Sequence, residues 1–186
     1  MEMPFSNAAQ RGLARVDQLE QRLCLTLNRA STRASVRSFF AAVSRVGDGM
    51  VWYALMTVLA ATQGMYGVRA ALVMGLSSLI GVGLYKVLKE RLVRERPYLT
   101  HHAIRVGCAP LDRYSFPSGH TLHAVLFTTI AIAWFPALAA VLIPLAVLIA
   151  LSRVVLGLHY PTDVVFGALI GWGLAELALW GFPPAT

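Results

Sequence analysis

Four long stretches of this chain contain no Asp, Glu, Lys or Arg, and this feature limits the possible fold more than any other. They run from Gly49 to Val68, Ala70 to Tyr85, Ala124 to Ser152 and Val164 to Ala175. A membrane-spanning helix needs about 20 mostly apolar residues, and flanking Lys and Arg side chains can extend a shorter block. Hydrophobic residues make up 57% of the chain, above the roughly 45–50% of soluble domains. The sequence therefore predicts an integral membrane protein.

The predicted fold class is an all-α membrane bundle of about five spanning helices, with six as the alternative. The predicted spans cover approximately 49–66, 69–88, 118–135, 137–153 and 163–181. The apolar block that ends at Ser152 is too long for one crossing, and Phe135-Pro136 is the natural break because proline lacks the backbone donor that a helix needs. We expect Pro144 to kink the fourth span.

The first 48 residues have a different character and are predicted to form a basic, amphipathic segment that precedes a transmembrane domain at 49–186. Leucines and other apolar residues recur at helical spacing between arginines. Such helices lie at the membrane surface and favour anionic lipid. Packing of this helix against the bundle is an alternative that is compatible with surface binding. The arginines concerned are Arg11, Arg15, Arg22, Arg29, Arg33, Arg37 and Arg45.

Three short motifs carry the chemistry, and their order along the chain is K-x6-R-P, P-S-G-H and S-R-x5-H-x3-D. The predicted spans place all three at one membrane face, because the second and fourth spans end there and the third and fifth begin there. A random scatter of charges would have no reason to meet in this way. The motif residues are Lys89, Arg96, Ser118, Gly119, His120, Arg153, His159 and Asp163.

These residue types are suited to phosphoryl transfer, in which negative charge spreads over three oxygens while nucleophile and leaving group stand in line. Lys89, Arg96 and Arg153 can neutralise that charge, the arginines through forked hydrogen bonds. Ser118 is predicted to cap a helix, and Gly119 allows the backbone to approach a ligand closely. The free amides and the positive end of that helix would then face a phosphate. No metal is required to stabilise such a transition state.

The three motifs together resemble the signature of the type 2 phosphatidic acid phosphatase (PAP2) superfamily, specifically its membrane lipid phosphatase branch. The resemblance covers Lys89 to Asp163. It implies that His159 is the nucleophile, that Asp163 orients it and that a phosphohistidine forms. It also implies that His120 is the general acid and later activates water, with no cofactor. A zinc site built from His120, His159 and Asp163 is disfavoured, because the neighbouring arginines repel a cation.

Two further residues are candidates for substrate binding. Arg113 lies in the loop between Pro97 and Pro117 and can contact a second phosphate or a headgroup. His123 lies one helical turn beyond His120 and can border the substrate entrance. A solvated arginine and a structural histidine are the alternatives.

The expected substrate is a phosphate on a lipid, whose tail stays in the bilayer while its headgroup enters the cationic pocket. Undecaprenyl pyrophosphate is favoured, followed by phosphatidylglycerophosphate or phosphatidate, and then by lipid A 1-phosphate. A non-catalytic lipid-binding or transport protein is the alternative from another class, but such a protein has no use for two opposed histidines. Lipid and membrane are the expected partners, nucleic acid is not, and the sequence leaves the oligomeric state open.

The expected location is the inner membrane of a bacterium, and the orientation there stays open. Of 16 Lys and Arg residues, only Arg69 lies at the face opposite the motifs. The positive-inside rule then places the motifs in the cytoplasm. Many proteins that share this signature work on the outer face instead.

Overall fold

The computed structural model describes residues 7–110 and 112–184, with side chains from residue 15 onward. Helices form the regular secondary structure of these ranges, and loops connect them. Short 3-10 turns follow α1 and precede α7. The helices are α1 (Asn7–Arg29), α2 (Ala34–Val46), α3 (Met50–Thr62), α4 (Gly64–Leu92), α5 (Pro97–Thr100), α6 (Gly119–Trp134), α7 (Ala139–Val155) and α8 (Pro161–Gly181).

The apolar helices α3, α4, α6, α7 and α8 lie where the sequence predicts spans, although the boundary between α3 and α4 differs from the prediction. The turn between α3 and α4 is a single residue, Gln63, so α4 begins five residues earlier than predicted and includes Arg69. Gly64 allows this tight turn because its φ of +57° is a left-handed conformation that favours glycine. Within the described residues, three segments are long and apolar enough to cross a membrane, namely Gly64–Thr100, Pro136–Val155 and Pro161–Gly181. Helices α3 and α6 are apolar but shorter.

Helix α6 is the centre of the bundle and packs against α8, α7 and α4. Its approach to α8 depends on two glycines, because a Cβ at Gly167 would lie 2.5 Å from the Ser118 carbonyl oxygen. A Cβ at Gly171 would lie 2.2 Å from the carbonyl oxygen of Leu122. Small residues four apart let membrane helices pack backbone to backbone. This close packing places the start of α6 beside the start of α8.

The side chains divide between a buried core and an apolar exterior. In the core, Trp52 of α3 stacks on Phe127 of α6 with ring centroids 5.2 Å apart. Outward-facing positions on α4 and α8 carry large hydrophobic side chains such as Leu72, Leu79 and Trp172. Apolar side chains on the outside of a bundle are expected where lipid is the surrounding solvent.

The N-terminal helices pack on the bundle at the face where the motifs lie. Helix α2 packs against α7, and α1 contacts α7 and α8. The buried amide of Asn28 donates hydrogen bonds of 2.9 Å to the carbonyl oxygens of Arg105 and Val155 and accepts one from the Arg105 amide. Leu19 and Leu23 of α1 remain exposed. Binding of α1 to a lipid surface therefore stays a prediction.

Candidate active site

A cavity of about 590 Å³ opens where α3, α4 and α6 meet the loops of one face. Most of the motif residues line it, although they come from distant parts of the chain. Ser118 and Asp163 lie behind its wall and are completely buried. The motif residues that line the cavity are Lys89, Arg96, Gly119, His120, Arg153 and His159. The predicted convergence of the motifs is therefore present in the structure.

Three cations with little access to solvent surround this cavity. Lys89, Arg96 and Arg153 are 6%, 1% and 3% exposed. They come from the last turn of α4, the residue before α5 and the last turn of α7. Burying cations is costly unless anions or hydrogen-bond acceptors surround them. A site built in this way favours an anionic ligand.

Asp112 supplies part of the negative charge that these cations need. Lys89 Nζ donates to both Asp112 carboxylate oxygens at 2.7 Å, and Arg96 Nη2 donates to Oδ1 at 2.6 Å. Arg96 also donates to the carbonyl oxygen of Leu158 at 2.8 Å. Arg153 donates to the Ser44 hydroxyl, and its buried Nε has no partner among the described residues. Arg153 therefore keeps hydrogen-bonding capacity for a ligand.

His159 lies in the turn between α7 and α8, which Gly157 makes possible with a φ of +73°. Its Nε2 lies 3.4 Å from Arg96 Nη1, on the side of the cations. Its Nδ1 lies 3.6 Å from Asp163 Oδ2, too far for a hydrogen bond of ordinary length. The geometry leaves Nε2 as the nitrogen that faces a bound anion.

Burial and the nearby positive charges of Arg153, Arg96 and Lys89 lower the pKa of His159 well below its ordinary value. A charged imidazole is disfavoured both by loss of water and by neighbouring cations. His159 is therefore neutral at physiological pH, and its lone pair is available.

Asp163 is held by hydrogen bonds from a backbone amide and from Arg94. Its Oδ2 accepts from the Tyr160 amide at 2.8 Å, and its Oδ1 accepts from Arg94 Nη1 at 2.7 Å. Arg94 also bonds Glu20 at 2.6 Å, and Glu20 accepts from the Thr162 amide at 2.9 Å. Helix α1 therefore takes part in holding the Asp163 carboxylate beside His159.

The start of α6 forms the other wall of the cavity. The Ser118 side chain accepts from the Thr121 amide at 3.4 Å, which confirms Ser118 as the N-cap. The Ser118 amide donates to the Asp163 carbonyl oxygen at 3.0 Å and ties α6 to α8. The amides of Gly119 and His120 belong to the first turn, where a helix leaves donors free for an anion. His120 bonds Asp48 through Nε2 at 2.5 Å.

A family model of the PAP2 superfamily matches residues 66–186. This chain belongs to the PAP2 superfamily. The match covers the three motifs and every helix from α5 onward, which confirms the resemblance inferred from Lys89 to Asp163.

Known proteins similar to this PAP2 chain include phosphatases of membrane lipids. The decaprenylphosphoryl-5-phosphoribose phosphatase of Mycolicibacterium smegmatis is 40% identical over 103 residues, which are 53% of each chain. The alignment thus spans about half the length of that relative. The crystal structure of Aquifex aeolicus LpxE has a TM-score of 0.70 at 26% identity, covering 86% of this chain and 93% of LpxE. The first transmembrane PAP2-type phosphatidylglycerolphosphate phosphatase of Bacillus subtilis has a TM-score of 0.64 at 26% identity, covering 90% and 86%. The predicted all-α membrane bundle is confirmed, whereas the number of spans stays a prediction.

The two candidate substrate-binding residues of this PAP2 chain both line the cavity. Arg113 is exposed, and its guanidinium lies 5.6 Å from the centre of the Tyr114 ring. His123 bonds the Gly119 carbonyl oxygen through Nδ1 at 2.9 Å and contacts the Ser78 carbonyl oxygen at 3.4 Å. Arg113 is therefore accessible to a ligand from solvent, while His123 is held by its contacts to α4 and α6.

Several residues at the site are not motif positions and were not predicted from the sequence. Asp48 lies in the turn after α2, Asp112 lies in the α5–α6 loop, and Arg94 lies two residues before Arg96. A carboxylate in a turn at the motif face is the one sequence signal that could have indicated Asp48. Asp112 and Arg94 gain their partners only through the path of the folded chain.

Proposed function

We propose that this protein is a membrane-embedded phosphatase of lipid phosphates or pyrophosphates that works through a phosphohistidine at His159. The observation that carries the proposal is one cavity in which buried Lys89, Arg96 and Arg153 surround two histidines. A protein that only binds phosphate needs the cations. It does not need His159 and His120 on two walls of the same cavity.

In the first half-reaction, the three cations and the first-turn amides of α6 bind the non-bridging oxygens of the phosphoryl group. The lone pair on Nε2 of His159 attacks phosphorus, and a nitrogen–phosphorus bond forms as the bond from phosphorus to the leaving oxygen breaks. His120 donates a proton to that oxygen, and the lipid alcohol or lipid monophosphate departs. The cations neutralise the charge that develops in the transition state.

In the second half-reaction, water attacks the phosphohistidine and the nitrogen–phosphorus bond breaks. His120, now neutral, accepts a proton from the water, and inorganic phosphate leaves. His159 regains its neutral imidazole and His120 regains its proton. The carboxylate of Asp163, 3.6 Å from Nδ1, stabilises the positive charge that His159 carries while it is phosphorylated.

The walls of the cavity support a lipid as the substrate. Beyond the cations the cavity is lined by Trp52 and Tyr53 of α3, Val82 of α4 and Phe127 of α6. Val82 lies seven residues before Lys89 on α4, and Phe127 lies seven residues after His120 on α6, which is about two helical turns deeper in the bundle in each case. A ligand with a charged head and a hydrocarbon tail matches both ends of the cavity.

Within this class we favour undecaprenyl pyrophosphate. Lys86 and Arg113 line the same cavity beyond the three buried cations and can receive a second phosphate. Phosphatidylglycerophosphate, phosphatidate and lipid A 1-phosphate are the competing substrates. A fourth competing substrate is a lipid-linked phosphosugar of the kind that the name of the Mycolicibacterium relative gives.

The test is release of inorganic phosphate from each of these lipids by the protein purified in detergent. We expect turnover on at least one lipid, loss of turnover in His159→Ala, and wild-type turnover in His102→Ala, a matched change at an exposed histidine. The substrate with the highest kcat/KM identifies the headgroup. Equal rates in the wild type and His159→Ala would contradict the proposal.

A further inference from the structure

The turn between α2 and α3 brings a carboxylate into the cavity. Its three residues are Gly47, Asp48 and Gly49, and Gly49 adopts a φ of +127° that a residue with a side chain rarely reaches. The Gly47 amide donates to Val43 and the Asp48 amide to Arg45, each at 3.1 Å. Backbone bonds therefore hold the turn and leave the Asp48 side chain free for another purpose.

The Asp48 side chain contacts one of the two proposed catalytic histidines. Its Oδ1 lies 2.5 Å from Nε2 of His120. Both residues line the cavity. Among the described residues, Nδ1 of His120 has no protein hydrogen-bond partner. With Nε2 held by a carboxylate, Nδ1 is the nitrogen left to exchange a proton with a ligand.

We propose that Asp48 is a positioning residue for His120, which orients the imidazole and stabilises its protonated form. The inference rests on the function proposed above. A carboxylate that accepts a hydrogen bond from one ring nitrogen fixes both the ring orientation and the tautomer. Nδ1 then carries the proton that goes to the leaving oxygen, and accepts the proton of water in the second half-reaction.

The charges of the cavity explain why such a carboxylate is needed. Arg153, Arg96 and Lys89 create a positive field in which a protonated imidazole is disfavoured. The Asp48 carboxylate opposes this field at His120 and favours the protonated imidazole. Asp163 is more distant from His159, because 3.6 Å separates their nearest atoms against 2.5 Å for the Asp48 pair. The tighter pair belongs to the histidine that must carry a proton, and the looser pair to the histidine that must stay neutral.

The test compares Asp48→Asn with wild type on two substrates that differ in their leaving groups. A lipid monophosphate leaves as a poorly acidic alcohol and needs the proton, whereas nitrophenyl phosphate leaves as a stable anion. We expect kcat on the lipid to fall roughly 10- to 100-fold, part of the 10²–10⁴-fold that a general acid supplies. KM should change less than about threefold, and the loss on nitrophenyl phosphate should be several times smaller than on the lipid.

Two further variants separate positioning from general structure. Adding Asp48→Asn to His120→Ala should cause little further loss, because both changes disable the same proton transfer. Asp48→Glu should restore part of the activity on the lipid. Asp17→Asn, at an exposed position of α1, is the control for loss of one negative charge. Thermal unfolding of each variant in detergent shows whether the fold is intact.

The outcomes distinguish this inference from the proposed function. An active wild type with a defective His120→Ala and a normal Asp48→Asn would overturn the role of Asp48 alone. The role of Asp48 would also be overturned by the following pair of results: Asp48→Asn lowers kcat equally on both substrates, and the double variant loses as much activity as the product of the two single losses. A wild type and a His159→Ala variant of equal activity would instead contradict the proposed function.

Discussion

Asp112→Asn is expected to strengthen the binding of inorganic phosphate and vanadate. Asp112 accepts hydrogen bonds from Lys89 at 2.7 Å and from Arg96 at 2.6 Å, so it already occupies part of the anion pocket. Burial opposes its charge, but the hydrogen bond and the positive charges of Lys89 and Arg96 hold the pKa of Asp112 below its ordinary value. The carboxylate is therefore ionised at neutral pH. An incoming anion must displace it or bind beside a like charge.

The expected magnitude follows from the exposure of this ion pair. A hydrogen bond to a charged group contributes about 1.5–3 kcal/mol, whereas an exposed ion pair contributes about 0.2–1 kcal/mol. The Asp112 side chain is 38% exposed, while Lys89 is almost buried. Solvent screening at the Asp112 end favours the lower range, about 1 kcal/mol, which corresponds to roughly a fivefold tighter inhibition constant.

The assay is competitive inhibition of phosphate release by vanadate, with Glu90→Gln as the control. Glu90 lines the same cavity and has no ion pair among the described residues, so its removal measures the effect of net charge alone. The same Asp112→Asn variant should melt at a lower temperature, because two buried cations lose an anionic partner. An inhibition constant for vanadate that is unchanged or higher in Asp112→Asn would refute the reasoning. It would indicate instead that Asp112 holds Lys89 and Arg96 in position to bind the anion.

Three further predictions concern the cations, the helix contact and pH. Arg153→Lys should weaken vanadate inhibition about tenfold in the same assay, because lysine cannot reproduce a forked contact; an unchanged constant would remove Arg153 from the pocket. Gly171→Ala should destabilise the protein by about 1–3 kcal/mol in chemical unfolding, since its Cβ meets the Leu122 backbone at 2.2 Å, whereas Gly173→Ala, with open space around it, should not. Because burial lowers the pKa of His159 in the folded protein, below pH about 6.5 only the unfolded chain takes up a proton at this residue. The contribution of His159 to the free energy of unfolding is therefore full above pH about 6.5, and it falls by up to about 1.4 kcal/mol per pH unit below that value. This slope should decrease in His159→Gln, and an identical slope would show that His159 is protonated in the folded protein.

The fold and the motif residues could be predicted because their signals are local. Uncharged stretches indicate helices in lipid. Phe135-Pro136 predicts the break between α6 and α7, and in the structure α6 ends at Trp134, one residue before this pair. Motif residues at the ends of spans, such as Lys89 and Arg153, meet because the alternation of spans determines which ends share a face. The start of α4 was wrong by five residues, since a glycine turn at Gly64 interrupts the helix without a change in hydropathy.

The partners of the motif residues could not be predicted because they depend on tertiary contacts. Asp112 reaches Lys89 and Arg96 only through the course of a loop that has no periodic pattern. Glu20 reaches Arg94 across 74 residues because α1 lies against α8. Residues 1–48 were predicted as a separate basic segment, and the structure adds that Asp48, in the turn after α2, enters the cavity itself.

The most direct test of the central claim is to trap the phosphate on the enzyme. Radiolabelled nitrophenyl phosphate, whose leaving group departs without a proton, is mixed with the His120→Ala variant and quenched rapidly in base. The protein is then digested to locate the label. Slow hydrolysis of the intermediate should leave label on His159, lost in acid and stable in base, and no label on the His159→Ala variant. Label on the His159→Ala variant, or label of the acid-stable kind that a phosphoester gives, would contradict a phosphohistidine at this position.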